Sequence, residues 1–146
     1  MKETAAPHVR LKAALCFGAA GFVAAVLVLL TNDTFPTKES MSFWLLFTIG
    51  PTVAAGVSGA LIGHRVMNTA HTSTGFGAVF YGLLITLVAI ILFSLAFTAG
   101  YLITVSFRAS ALGGFLGWPL IILRESGPIA FSTGALASYL LFRLRS

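Results

Sequence analysis

Residues 79–102 read VFYGLLITLVAIILFSLAFTAGYL, a run in which no side chain carries a charge. Wound as a helix it rises about 36 Å, enough to cross a hydrocarbon core roughly 30 Å thick. The chain repeats the pattern on the N-terminal side. Residues 43–62 carry no charge, and residues 11–30 carry only Lys12 at their leading edge. On the C-terminal side, residues 109–142 form a fourth apolar run, which as one helix would extend about 51 Å, too long for a single crossing. It is interrupted by Arg124-Glu125-Ser126-Gly127-Pro128, where charges, glycine and proline together favour a helix boundary.

This reading divides the fourth run into two objects. Residues 111–123, dotted with Gly113, Gly114, Gly117 and Trp118-Pro119, are expected to form a short re-entrant or interfacial half-helix, and residues 128–142 the last span. The expected fold is therefore all-α. It is a polytopic four-transmembrane-helix bundle with spans over about 11–30, 43–62, 79–102 and 128–142, a half-helix before the last, and one integral membrane domain over residues 1–146. Composition agrees: charged residues make up 9% of the chain, against roughly 25% in soluble domains.

The net charge of +5 does not point to nucleic acid. Its cations cluster at segment ends, where anionic headgroups and the positive-inside bias account for them. With four spans and the N-terminus inside, Lys2, Arg10, Lys12, Arg65, Arg143 and Arg145 are cytoplasmic, while Lys38, Arg108 and Arg124 lie outside. Both termini are thus expected in the cytoplasm of a bacterial inner membrane. Residues 11–30 are followed by Thr31-Asn32-Asp33 with no small-residue cleavage motif, which reads as an uncleaved signal anchor. Polar loops are expected from Thr31 to Ser42 and from Gly63 to Gly75, with Phe43 and Trp44 in an interfacial belt.

Small residues mark the packing faces. In the second span Ala55, Gly59 and Gly63 form one row at spacing four, and Thr52, Gly56 and Ala60 form the next. Such rows let membrane helices approach closely, so Ala55, Gly56, Gly59 and Gly63 are the candidate helix-packing residues. A bend is expected at Gly50-Pro51. Thr86, Ser94, Thr98 and Tyr101 share one face of the third span and are expected to point inward.

Chemistry is constrained by a short acidic inventory: Glu3, Asp33, Glu39 and Glu125. Spans one to three hold no carboxylate, which opposes a proton-coupled antiporter built on an acid within those spans. Cys16 is the single cysteine, and within an apolar run it behaves as a small hydrophobe. His64 and His71 lack a third ligand, and Ser58, Ser94 and Ser132 lack a histidine to activate them. No catalytic, cofactor or metal site is expected. Arg124 and Glu125 are the candidate functional residues, because ionisable groups at membrane depth cost about 2.5–3.5 kcal/mol each on insertion scales. Their bland reading is a turn at headgroup level.

The leading expectation is a non-enzymatic accessory, regulatory or immunity-type protein acting by helix–helix contact. Its partners would be the bilayer and another membrane protein or a second copy of itself. The alternative is an oligomeric small-solute or ion transporter or channel with a polar path near Arg124-Glu125.

Overall fold

The computed structural model describes residues 7–31, 41–68, 74–104 and 110–144, with side chains over 7–31, 45–68, 74–100 and 120–144. They form five helices: α1 (Pro7–Thr31), α2 (Met41–Ile62), the single turn α3 (His64–Met67), α4 (Gly75–Thr104) and α5 (Ser110–Arg143). No strand occurs among the described residues. Three helices are long and apolar enough to cross a membrane: Pro7–Thr31, Leu45–Ile62 and Gly75–Gly100. The first begins four residues before the expected span, at Pro7, a residue suited to a first helical turn because its ring presets the helical φ.

The helices pack in pairs, α1 on α2, α2 on α4, α4 on α5 and α5 on α1. Contacts along the α1–α2 and α4–α5 seams run in opposite chain directions, Gly21 beside Ala55 and Gly59 beside Ala13, Gly75 beside Tyr139 and Gly82 beside Gly134. Helices α1 and α2 are therefore antiparallel, as are α4 and α5. The α3 turn abuts α1, α2, α4 and α5 at one end, where Val66 joins Ala13, Phe17, Ala78, Ile85, Ala137 and Leu141 in a buried cluster. Arg10, Lys12, Arg65 and Arg143 belong to the elements gathered at that end. A second cluster, Ala54, Ala55, Ala89 and Phe93 with Phe47, Phe97 and Ile122 against it, lies toward the other end.

The fourth run departs from expectation. The half-helix and the last span are not separate: α5 is continuous for 34 residues through Arg124-Glu125-Ser126-Gly127-Pro128. Proline's fixed φ is itself helical, so what it removes is one N–H and what it adds is a clash with the preceding turn. The residue before a proline is crowded at its N–H and its Cβ, and here that residue is Gly127, which has no Cβ. Hydroxyls on either side reinforce the helix, Ser126 donating to the Ile122 carbonyl at 2.5 Å and Ser132 to that of Pro128 at 2.8 Å. Helix α2 likewise continues through Pro51, with Thr52 donating to the Thr48 carbonyl at 2.6 Å. The expected loops at 32–40 and 69–73, His71, and the side chains of Phe43, Trp44, Tyr101 and 111–119 lie outside the described residues.

Candidate functional site: a cavity beside Glu125

Two seams bring helix backbones into contact, and both follow from missing side chains. On the α1–α2 seam, a Cβ at Gly59 would stand 2.8 Å from the Phe17 Cβ and 2.9 Å from the Ala13 carbonyl oxygen. One at Gly21 would stand 2.7 Å from the Ala55 Cβ, and one at Gly63 2.8 Å from the Ala13 Cβ. Gly56 is looser, with the Ala14 carbonyl at 3.5 Å. Ala55, Gly56, Gly59 and Gly63 thus lie along α1 of the same chain. On the α4–α5 seam, a Cβ at Gly82 would stand 2.6 Å from both the Gly134 carbonyl oxygen and the Ser138 Cβ. Ser138 donates across this seam to the Ala78 carbonyl, and the Cys16 thiol approaches the Ala137 carbonyl at 3.6 Å to join α1 to α5.

Composition alone does not reveal the α4–α5 seam, but spacing does. Ala78, Gly82 and Thr86 recur every four residues on α4, as do Ala130, Gly134 and Ser138 on α5. This is the same small-residue signal that marks α2. The inward stripe of α4 is buried where it is described: Thr86 at 7%, Ser94 at 0% and Thr98 at 2% exposure. Thr86 and Thr98 each donate to the carbonyl four residues earlier, at 2.9 and 2.8 Å.

Toward the other end the packing opens. A cavity of about 110 Å³ lies among α1, α2, α4 and α5, walled by Ala24 and Val28, Pro51 and Ala55, Ala89 and Phe93, and Ile122 and Ala130. Phe47 lines this space, set edge-on to Phe93 and Phe97 with ring centroids 5.8 and 5.6 Å away. Glu125 lines the cavity together with Ser126, Thr86 and Thr133. Its side chain is 33% exposed, which places the carboxylate at the rim. Arg124, adjacent in sequence, is 85% exposed, and its Nε stands 3.6 Å from Glu125 Oε1. That separation makes a weak ion pair with no direct hydrogen bond.

The two candidate functional residues therefore separate. Glu125 reaches the cavity, and Arg124 faces outward. Among the described residues no three His, Cys, Asp or Glu side chains converge in a way that could hold a metal ion. No protein family, curated protein or solved structure matches the chain. The cavity's largely apolar lining was not legible beforehand, because it requires knowing which faces of α4 and α5 meet.

Proposed function

We propose that this chain is a four-span integral membrane protein that holds and passes a small solute through the cavity beside Glu125. One observation carries the reading: the cavity is lined by three helices of spanning length and by α5, whose Glu125 is the one carboxylate among the lining residues. The fourth span is assigned to α5 between Arg124 and Arg143. These residues are nineteen apart, about 28 Å along a helix, which matches the hydrocarbon thickness and sets a cation at each interface. The end bearing Arg10, Lys12, Arg65 and Arg143 is assigned to the cytoplasm, with both termini, in a bacterial inner membrane. The Glu125 end then faces outward. The transporter or channel reading needs no oligomer to form the cavity, since α1, α2, α4 and α5 of one chain line it.

Flux of small solutes into liposomes containing the purified protein tests this proposal. Uptake above empty liposomes, abolished by Ala89→Leu together with Ala130→Leu, supports it. Uptake that ignores both cavity-filling changes removes it.

A second reading, the accessory or immunity-type protein, has one observation in its favour. Helix α2 is the least buried of the three spanning helices. Its outward row of Leu45, Ile49, Val53, Val57 and Leu61 suits a neighbouring helix as well as lipid. The face that first suggested a partner, Ala55 to Gly63, is covered by α1, so an accessory role would have to use this outer row. Disulfide crosslinking of Val57→Cys in a Cys16→Ser background, carried out in native membranes, tests for a second copy there.

A further inference from the structure

The walls of the cavity offer a ligand almost no polar group. Only Thr86, Glu125, Ser126 and Thr133 bring a polar side chain to it, and each is engaged elsewhere. Thr86 gives its proton to the Gly82 carbonyl at 2.9 Å, and its oxygen lies against Gly134 in the α4–α5 seam. Ser126 donates to the Ile122 carbonyl at 2.5 Å, and Thr133 to those of Ile129 and Ala130, each at 3.0 Å. Glu125 is one-third exposed and has Arg124 among its partners, so its charge is met at the rim. Every other lining residue is aliphatic, glycine, proline or Phe. The walls are helical, and backbone N–H groups within a helix bond to carbonyls four residues back.

A charged or strongly polar solute entering this space would give up its hydration and find no bonds to replace it. Water fares no better, because a buried molecule needs two to four polar partners, and apolar cavities of this kind stay dry. A hydrocarbon gives up no hydrogen bond on entry. It also restores the dispersion contacts that side chains facing a void forgo. Size and shape narrow the choice further. At about 110 Å³ the space is smaller than the ~150 Å³ engineered cavity that admits benzene, and in proportion it holds about four heavy atoms. Its lining runs along α1 from Phe17 to Leu29, about 18 Å of helix, and along α4 from Ile85 to Phe93, about 12 Å. So small a volume bordered over that length is a slot, which suits an unbranched chain better than a ring. We infer that the cavity takes small uncharged apolar molecules, with short unbranched hydrocarbons as the best fit. This inference rests on the reading of the cavity as a solute site.

The test uses the full chain in nanodiscs, with the methyl groups of alanine and isoleucine labelled for NMR. The probes are n-butane, acetamide, n-propylammonium and acetate, which match in heavy atoms and differ in polarity and charge. Butane is expected to shift the Ala89, Ala130 and Ile122 methyls saturably. The methyl of Ile91, which is exposed on α4, reports butane dissolved in the bilayer and should show no saturation. The three polar probes should leave the cavity methyls unmoved. Ala89→Leu together with Ala130→Leu should weaken butane binding by about tenfold or more, because the added methylenes take up the space. Should that pair not fold, Ala130→Val adds less volume at the same wall and should weaken binding in the same direction. Glu125→Gln should leave equilibrium binding of butane unchanged, whatever it does to the rate of passage. Saturable binding of a polar probe as strong as that of butane, or a tenfold loss of butane affinity in Glu125→Gln, overturns the apolar assignment. If a polar probe binds and the filled variant blocks it, the cavity remains a solute site and only the ligand class is wrong. If no probe binds, both readings fall.

Discussion

The two ends of this molecule are built from the same helices and packed differently, although the close seams run on to Gly21 against Ala55 and to Gly134, which also line the cavity. At the basic end the seams are made of Gly59 on Ala13 and Gly82 on Gly134, so backbones meet with almost nothing between them. At the other end Phe47, Phe93 and Phe97 stand between the helices, and a cavity edged by Glu125 remains. The difference lies in side-chain volume. Without a hydrophobic driving force between membrane helices, dispersion contact and interhelical hydrogen bonds carry association, and both are concentrated where residues are small. The packed end should therefore hold the fold together, and the open end should tolerate change in stability while responding in function.

The sharpest way to break that contrast is to add volume to the α4–α5 seam. Gly82→Leu inserts a branched side chain where even a Cβ would come within 2.6 Å of the Gly134 carbonyl oxygen and the Ser138 Cβ. Overpacking of a dense core costs about 1–3 kcal/mol and sometimes more, and here the obstacle includes backbone, which cannot rotate away. Loss of about 3 kcal/mol or more is expected, seen as a large fall in unfolding temperature in detergent. A native-like melting curve would show that the basic end is not the stabilising one.

Gly59→Ala is the next step down. Its Cβ would meet the Phe17 Cβ at 2.8 Å and the Ala13 carbonyl at 2.9 Å, so α1 must shift by a few tenths of an ångström. About 1–3 kcal/mol is expected. Gly56→Ala, whose nearest neighbour is 3.5 Å away, serves as the internal control and should change little.

The sequence reading was strongest where one physical signal sufficed. Long charge-free runs identify α1, α2 and α4, because their length and apolarity need no tertiary context. The small-residue row of α2 was likewise visible, although which helix it meets was not. Helix α5 was misread because Gly127-Pro128 looks like punctuation. The glycine that suggested a break also removes the Cβ part of the clash that proline imposes on its predecessor, and Ser126 and Ser132 bond within the helix on either side. Of the candidate pair, the sequence could not separate Glu125 from Arg124. Adjacent residues on a helix point about 100° apart, and only the placement of α5 against α1, α2 and α4 decides which one meets the cavity.

Hydrogen bonding across the packed end gives a smaller effect. Ser138→Ala removes the bond from its hydroxyl to the Ala78 carbonyl without changing the volume of the seam appreciably. Interhelical bonds of this kind average about 0.6 kcal/mol in membrane bundles, and a loss of that order is expected in unfolding experiments. A much larger loss would mean that the seam depends on this bond more than on the close approach of Gly82 and Gly134.

The smallest effect on stability is expected at the open end, and it is the one that completes the contrast. Glu125→Gln removes one charge from a carboxylate that is one-third exposed and pairs with an Arg124 that is 85% exposed. Exposed pairs contribute about 0–1 kcal/mol, so loss of the pair with Arg124 by itself should scarcely move the unfolding temperature without ligand. Function should respond in the opposite sense: solute flux in liposomes should fall while Ser138→Ala, destabilised yet distant from Glu125, retains it. If instead Glu125→Gln lost stability as Gly82→Leu is expected to, the carboxylate would be a structural partner within the fold. The division between a packed end that holds the helices and an open end that meets solute would then have to be abandoned.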